Sequence, residues 1–159
     1  MRLGLLKLLP VGLLAVSTAA LSAVDVGYPG AEDYTDAAEL RETQGEFTRH
    51  LERLGSRYLA PSQSLRVEFL DIDLAGYVRP FGRRDIRVVN GRGDFPVVAL
   101  RYVLEVDGKV VDRGEETITD SSRGLGMPLR LAAEPLGYEK RMLEKWFRHR
   151  FVDRRAAAR

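Results

Sequence analysis

The stretch PVVALRYVLEVDGKVVDRGEETIT, residues 96–119, decides the fold class of this chain. Apolar side chains alternate through its first half, at Val98, Leu100, Tyr102, Leu104 and Val106. A period of two residues is typical of a strand that buries one face. Asp107-Gly108 follows, and Asp-Gly between two alternating runs is a strong hairpin signal. We therefore predict an antiparallel hairpin that turns at Asp107-Gly108, with its cross-strand register left open.

Further segments with strand patterns are residues 24–28, 64–74 and 85–89. In the second of these, the apolar positions change parity between Phe69 and Leu70. This change predicts either a β-bulge at that point or a second half that is covered on both faces. Residues 75–84 contain two glycines and a proline, so we predict a loop there.

Two amphipathic helices flank these strands. The first is indicated by an apolar stripe with helical spacing, formed by Phe47, Leu51, Leu54 and Tyr58. Thr35 or Asp36 is predicted to cap this helix, and Pro61 is predicted to end it. The second helix is predicted to open at Pro135, a residue favoured in a first helical turn, and to extend to about Phe151.

The order strand, helix, three or four further strands, helix predicts an α+β fold. We expect an antiparallel-rich sheet of four to five strands with two main helices packed on one face, and no parallel βαβ alternation. The single domain is predicted to span residues 24–151, and residues 152–159 are predicted to form a basic, disordered tail. A chain of this length buries about two-thirds of its unfolded surface, which is enough for one core.

Residues 1–23 have the three parts of a cleavable signal peptide. Two basic residues give a positive start, residues 8–16 form an uncharged apolar run, and mostly small residues follow. Ala20 with Ser22 supplies one pair of small side chains at the spacing that signal peptidase requires. A membrane anchor is the alternative, but the apolar run is shorter than the about 20 residues of a spanning helix. We therefore expect export, and a mature chain without a transmembrane segment.

The charge balance of the mature chain argues against nucleic-acid binding. The full sequence has 25 Lys and Arg against 23 Asp and Glu, and two of the basic residues lie in the signal segment. The remaining 23 bases and 23 acids cancel, so the field that would steer nucleic acid is absent. The chain has no cysteine, which excludes disulfides and the thiol that bacterial lipoproteins acylate. We expect a periplasmic protein that is not a lipoprotein and holds no cofactor.

Charge is unevenly distributed along the mature chain. Residues 24–60 carry eight acids and four bases, whereas residues 139–159 carry eight bases and three acids. The acidic front and the basic tail can pair within the fold, or the tail can bind an anionic surface. Such a run is more often the solvated face of a helix. The candidate anion-binding residues are Lys140, Arg141, Lys145, Arg148, Arg154 and Arg155.

Asp71 and Asp73 are the candidate metal ligands. Two residues apart on a strand, their carboxylates point to one side, about 7 Å apart along the strand. Carboxylate oxygens are the ligands that hard cations prefer. The alternative is that both face solvent at a strand end or accept hydrogen bonds from arginines or loop amides, and a lone Asp-x-Asp favours this alternative because it lacks the remaining ligands of a calcium loop.

No set of catalytic residues is apparent in the remaining sequence. His50 and His149 are the only histidines, and we expect each to pack at the flank of a different helix. The Gly-x-Ser-x-Gly elbow of serine hydrolases does not occur. Arg92-Gly93-Asp94 spells an adhesion tripeptide, but a local turn explains its Gly and Asp. We therefore expect no catalytic residue, although enzyme activity stays open.

Four stretches resemble the bacterial family known as domain of unknown function 3016. They are YTDA at 34–37, LERLGSRYLAPSQSLRVEFLDIDLAGYVR at 51–79, ALRYVLEVDGKVVDRGEETITD at 99–120 and PLGYEKRMLEKWFRHRF at 135–151. The resemblance implies an exported protein of a Gram-negative cell and implies no activity. One departure is Glu134, which stands where an aspartate or serine cap is expected before the last helix.

Three functions remain open at this point. The leading hypothesis is a non-catalytic periplasmic module that binds a partner protein or an envelope component. The second is a metal-dependent hydrolase that uses Asp71 and Asp73, with Asp85 or Asp120 as a further ligand. The third is docking of the basic C-terminal segment on anionic lipid or polysaccharide.

Overall fold

The computed structural model of the chain describes residues 23–37, 40–81, 84–89, 95–120 and 134–153. A 3-10 turn at Ala31–Asp33 and a π-helical turn at His149–Asp153 supplement the regular elements. In chain order these elements are β1 (Ala23–Gly27), α1 (Leu40–Tyr58), β2 (Gln63–Asp73), β3 (Tyr77–Phe81), β4 (Arg84–Val88), β5 (Val97–Val106), β6 (Lys109–Thr119) and α2 (Gly137–Arg148).

A four-stranded sheet in the order β1-β2-β5-β6 is the centre of the fold. Its β2-β5 and β5-β6 pairs are antiparallel, and both helices contribute buried side chains to the core on one face of the sheet. The predicted α+β class is therefore confirmed. The predicted absence of a βαβ unit is wrong, because β1 pairs with β2 in parallel and α1 is the crossover between them.

The predicted hairpin of β5 and β6 is confirmed, and the structure supplies its register. Val106 pairs with Lys109 across a two-residue turn. Asp107 and Gly108 both have positive φ, at 51° and 73°, which is the backbone of the tight turn that matches strand twist. One residue further along, the pairing shifts so that Val111 is an extra residue on β6.

The bulge predicted in β2 is confirmed. Phe69 pairs with Leu100 and Asp71 with Ala99, so Leu70 is the extra residue of a bulge. Phe69 and Ile72 are both fully buried although they differ in parity, because the bulge turns the second half of the strand over.

The loop predicted at residues 75–84 is wrong, because Tyr77–Phe81 forms β3 and Arg84 begins β4. This strand pairs with β4 in a separate two-stranded antiparallel ribbon, from Tyr77 opposite Val88 to Phe81 opposite Arg84. Pro80 lies within β3, opposite Asp85. Each strand of a two-stranded ribbon has an open edge, and a proline at an edge does not interrupt the ladder.

The first helix ends near Pro61 as predicted, but it begins later than predicted. It starts at Leu40, runs through Gly45 and ends at Tyr58. Thr35 and Asp36 are not its caps. The N–H and hydroxyl of Thr35 donate to the Asp71 carboxylate on β2, and the Asp36 carboxylate accepts from the N–H of Leu74, directly after β2.

The second helix is shorter than predicted. It begins at Gly137, two residues after Pro135, and the residue between them, Leu136, has a left-handed φ of 57°. The regular helix ends at Arg148, and a π-helical turn continues the chain so that Phe151 is buried.

The core is aromatic and lies between the sheet and the two helices. The ring of Phe69 stacks on Tyr28 at 5.1 Å between centroids and contacts Phe47 at 5.4 Å. At the β6 side of the sheet, a second group of rings meets edge to face, formed by Tyr102, Trp146, Phe147 and Phe151. Edge-to-face pairs add stability beyond their buried area.

Several predictions fall outside the described residues. They are the signal segment up to residue 22, the local turn with Arg92-Gly93-Asp94, and the tail from residue 154 with Arg154 and Arg155.

Candidate functional site on the helix-free face of the sheet

Asp71 lies at the edge of β2 beyond the end of β1 and holds the connection to α1. The backbone N–H of Thr35 donates to Oδ1 at 2.8 Å, and the Thr35 hydroxyl donates to Oδ2 at 3.0 Å. Both carboxylate oxygens therefore bind the protein itself. This arrangement is the alternative considered from the sequence, hydrogen bonding by loop groups.

Asp120, one of the two residues proposed as a further metal ligand, binds elsewhere. Asp120 follows the residue that pairs with Val97, two strands from β2, and it accepts from Lys145 at 2.7 Å. Within the described residues, no group of three or more His, Asp or Glu side chains has a geometry that could hold a metal ion. A cation at Asp71 and Asp73 stays a prediction.

A buried carboxylate that sequence reasoning missed lies next to this edge. Glu139, in the first turn of α2, is 2% exposed and accepts from the backbone N–H of Ala75 at 3.0 Å. Asp36 accepts from the N–H of Leu74 at 2.6 Å, and the Arg87 guanidinium lies 4.0 Å from both acids. The cluster fixes the turn after β2. An acid in a first helical turn was visible in the sequence, but its distant partners were not.

Basic residues of α2 pair with acids of other elements. Lys140 Nζ lies 2.6 Å from Glu46 on α1. This contact, together with the contact between Glu46 and Arg49, lowers the pKa of Glu46 to about 2. Lys145 and Arg141 both contact Asp120.

The described members of the predicted anion-binding set divide into three, since Lys140 contacts Glu46, Arg141 and Lys145 share Asp120, and Arg148 has a separate position. Lys140 confirms pairing between the acidic front and the basic end of the chain, whereas Arg148 lies exposed on the helix. Docking of this segment on an anionic surface stays a prediction.

The two histidines differ in their surroundings. His50 lies on α1 where α2 packs against it, and its Nε2 is buried without a hydrogen-bond partner in the described part of the chain. Burial lowers the pKa of His50, although hydrogen bonding to the Lys140 backbone opposes the shift. His50 thus packs at a helix flank as predicted, while His149 is exposed.

In the described part of the chain, one face of the sheet carries no helix. We call this surface the helix-free face. It consists of the strand residues that alternate with the core-facing residues and point away from the helices. Its residues are Ala23, Asp25 and Gly27 on β1, Ser64, Arg66 and Glu68 on β2, Ala99, Arg101, Val103 and Glu105 on β5, and Val110, Arg113, Glu115 and Thr117 on β6.

Charges of opposite sign alternate across the helix-free face. In one row, Arg101 lies between Glu68 at 3.6 Å and Glu115 at 3.5 Å. In the neighbouring row, Arg66 Nε lies 3.3 Å from Asp25. Exposed pairs of this kind contribute little to stability, with a typical value of about 0–1 kcal/mol. Their effect is to hold charged groups at set positions on a flat surface.

A small cavity of about 90 Å³ opens on the helix-free face at the start of β1. Its polar lining comes from Asp25, Ser64, Arg66 and Glu105, and Ala23 closes one side. The Ser64 hydroxyl lies 3.4 Å from Glu105 Oε2. The cavity has the size of a few water molecules, since one water takes up about 30 Å³ of liquid.

The alternation that predicted the strands also indicated a polar side for each of them. The register that brings Glu68, Arg101 and Glu115 into one row did not follow from the sequence, because it depends on the pairing of β2 with β5 and on the bulge at Val111 in β6.

A comparison with protein-family models matches residues 22–149 to "Protein of unknown function (DUF3016)". The chain belongs to this family. The match covers every element described above up to the end of α2, so the resemblance seen in the sequence is confirmed over the whole domain.

Other comparisons add little to the family assignment. Curated proteins give no match. A minor lipoprotein from Acinetobacter baumannii, known from its crystal structure, is similar at 10% sequence identity, over 87% of this chain and 94% of its own, with a TM-score of 0.28. A score of this size does not establish a shared fold. No helix in the described part of this DUF3016 member is long and apolar enough to cross a membrane.

Proposed function

We propose that this chain is an exported, non-catalytic module that binds a partner protein or an envelope component through the helix-free face. The observation that carries the proposal is the four-stranded sheet with both helices on one side and ordered rows of charge on the other. The rows extend over four strands, and such a broad, flat surface suits a macromolecule better than a small substrate.

Export is proposed from the sequence of residues 1–22, which has a positive start, an apolar run and small residues in the order of a signal peptide. The proposed location is the periplasm. The acids and bases of the helix-free face give it both signs of charge, which suits a partner with a complementary pattern more than a uniformly charged polymer.

Photocrosslinking in intact Gram-negative cells tests the proposed function. A photoreactive residue at Thr117, on the helix-free face, is expected to give a discrete adduct, and the same residue at Ser56, exposed on α1, is the matched control. The charge reversal Arg101→Glu removes the ion pairs of Arg101 with Glu68 and Glu115, so it should abolish the adduct at Thr117. The amount of folded protein should not change. Equal adducts at both positions, or an adduct unaffected by the reversal, would contradict the proposal.

A further inference from the structure

We propose that processing cuts the peptide bond between Ser22 and Ala23, and that the ammonium group it creates pairs with Glu105 on the helix-free face. This inference rests on the proposed export. Hydrolysis of the bond adds one water, leaves a carboxylate on Ser22 and turns the amide nitrogen of Ala23 into a protonated amine at neutral pH.

Small residues at the first and third positions before a cut are the requirement of signal peptidase. Four positions meet it, namely cuts after Ser17, Ala19, Ala20 and Ser22. A cut after Ala23 fails, because Leu21 would occupy the third position. The sequence alone leaves these four cuts equal.

One of these cuts creates the new terminus on a residue that lies in the sheet. Ala23 lies on β1 and pairs with Ser64 in the parallel ladder. A cut after Ser22 turns the Ala23 nitrogen into an ammonium group beside the cavity that Ala23 helps to line. Each of the other cuts leaves further residues before Ala23, so that the Ala23 nitrogen stays an uncharged amide.

The charges of the cavity also favour a terminus at Ala23. Two carboxylates line it, on Asp25 and Glu105, together with one guanidinium, on Arg66. Arg66 pairs with Asp25, whereas Glu105 is bonded by the neutral Ser64 hydroxyl and by no basic side chain of the described residues. An ammonium group at Ala23 supplies the second positive charge.

The register places that ammonium group within reach of Glu105. Ser64 pairs with Ala23 on one side and with Glu105 on the other, so the two residues lie on the strands that flank β2. Their backbones are about 9.5 Å apart, which is twice the spacing of neighbouring strands. The contact with Ser64 draws the Glu105 carboxylate over β2, towards β1. In the uncleaved chain the Ala23 nitrogen is a neutral amide and this pair does not exist.

The first test is the mass and N-terminal sequence of the protein made from the full chain in a Gram-negative host. We expect a periplasmic protein that begins at Ala23. A periplasmic protein that begins at Thr18, Ala20 or Leu21 would overturn the inference and leave the proposed export intact. An unprocessed chain that stays in the cytoplasm would overturn the proposed export itself.

The second test measures the ion pair. A mature chain that begins at Ala23 is compared with its N-terminally acetylated form, which lacks the positive charge. We expect acetylation to lower Tm by about 1–4 °C, as an exposed ion pair in a domain of this size would. The same acetylation should have no effect in Glu105→Gln, while Glu115→Gln, on the same face but in a row beyond the cavity, should keep the full drop. An equal drop in all three chains, or none in the mature chain, would overturn the pairing.

Discussion

The two faces of the four-stranded sheet are formed by alternating residues of the same strands, but different interactions fix their side chains. On the face under the helices, Phe69, Leu100 and Tyr102 are almost completely buried among aromatic rings. On the helix-free face, the residues between them are held by ion pairs that stay exposed to solvent. Close packing therefore supplies the stability on one side only. Changes on the helix-free face are expected to have little effect on the fold, which is compatible with the proposed binding role of that face.

The largest expected effect is a difference in stability between substitutions at two neighbouring residues of β5, Leu100 and Arg101. Leu100→Ala opens a cavity in the core and should lower the free energy of unfolding by about 2–5 kcal/mol. Arg101→Ala, one residue further along and on the helix-free face, should lower it by less than about 1 kcal/mol. Urea unfolding of both variants measures the difference. Similar losses at the two positions would break the contrast between the faces.

The next effect concerns how closely α1 approaches the sheet. A Cβ atom at Gly55 would lie 2.1 Å from Cγ2 of Val24 on β1. Gly55→Ala should therefore cost about 1–3 kcal/mol, since the helix and strand must separate.

The matched control in the same helix is Gly45→Ala. A Cβ there meets the flexible Arg49 side chain at 3.4 Å. Alanine is the better helix former, so this change should raise stability by about 0.5–1 kcal/mol. Thermal unfolding of the two variants should thus give shifts of opposite sign, and two shifts of the same sign would show that α1 does not press on β1.

A smaller effect is expected at the edge of β2, where the two faces meet. Asp71→Ala removes two hydrogen bonds to Thr35 and should cost about 1–2 kcal/mol. Asp33→Ala, at an exposed position in the same connection, is the control and should cost less.

The same edge decides the metal hypothesis. Because Thr35 occupies both oxygens of Asp71, we expect calcium, magnesium and manganese to leave Tm unchanged. A cation-dependent rise in Tm that disappears in the double variant Asp71→Asn, Asp73→Asn would instead establish a metal site.

The smallest expected effect is a pH dependence from the helix-covered side. Burial lowers the pKa of His50 in the folded chain below its ordinary value of 6.5, so the unfolded chain binds a proton more readily. Stability should therefore fall as the pH drops from about 6.5 towards the lower pKa of the folded state. The charged groups around this ring are Arg53, Lys140 and Glu144.

Urea unfolding between pH 7 and pH 5 measures this dependence. His50→Gln should flatten the component of the curve that begins near pH 6.5, whereas His149→Gln, at the exposed histidine, should retain it. A curve unchanged by the loss of His50 would assign the dependence to other groups.

Much of the fold follows from local pattern. Asp107-Gly108 was sufficient for the hairpin because both residues tolerate the positive φ that a tight turn needs. The parity change after Phe69 was sufficient for the bulge because a buried strand must keep its apolar side towards the core. Pro80 misled the prediction of β3, since a proline interrupts a central strand but not the open edge of a ribbon.

The candidate site was far less predictable. Asp71 and Asp73 were conspicuous as a pair, yet Asp71 proved to bind Thr35, 36 residues away. The rows of the helix-free face were not visible at all, because Asp25 meets Arg66 only through the parallel pairing of β1 and β2. Partners far apart in the chain leave no periodic signal.

The sequence by itself determined the two helices, the strands other than β3, their apolar sides and the family, because these depend on the spacing of side chains within short segments. Only the tertiary structure decided that β1 lies parallel to β2 and that, among the described residues, both helices lie on one face of the sheet. It also decided which charges stand in one row. The physical reason is that strand register and helix placement are set by the packing of the whole core, to which every segment contributes and which no single segment encodes.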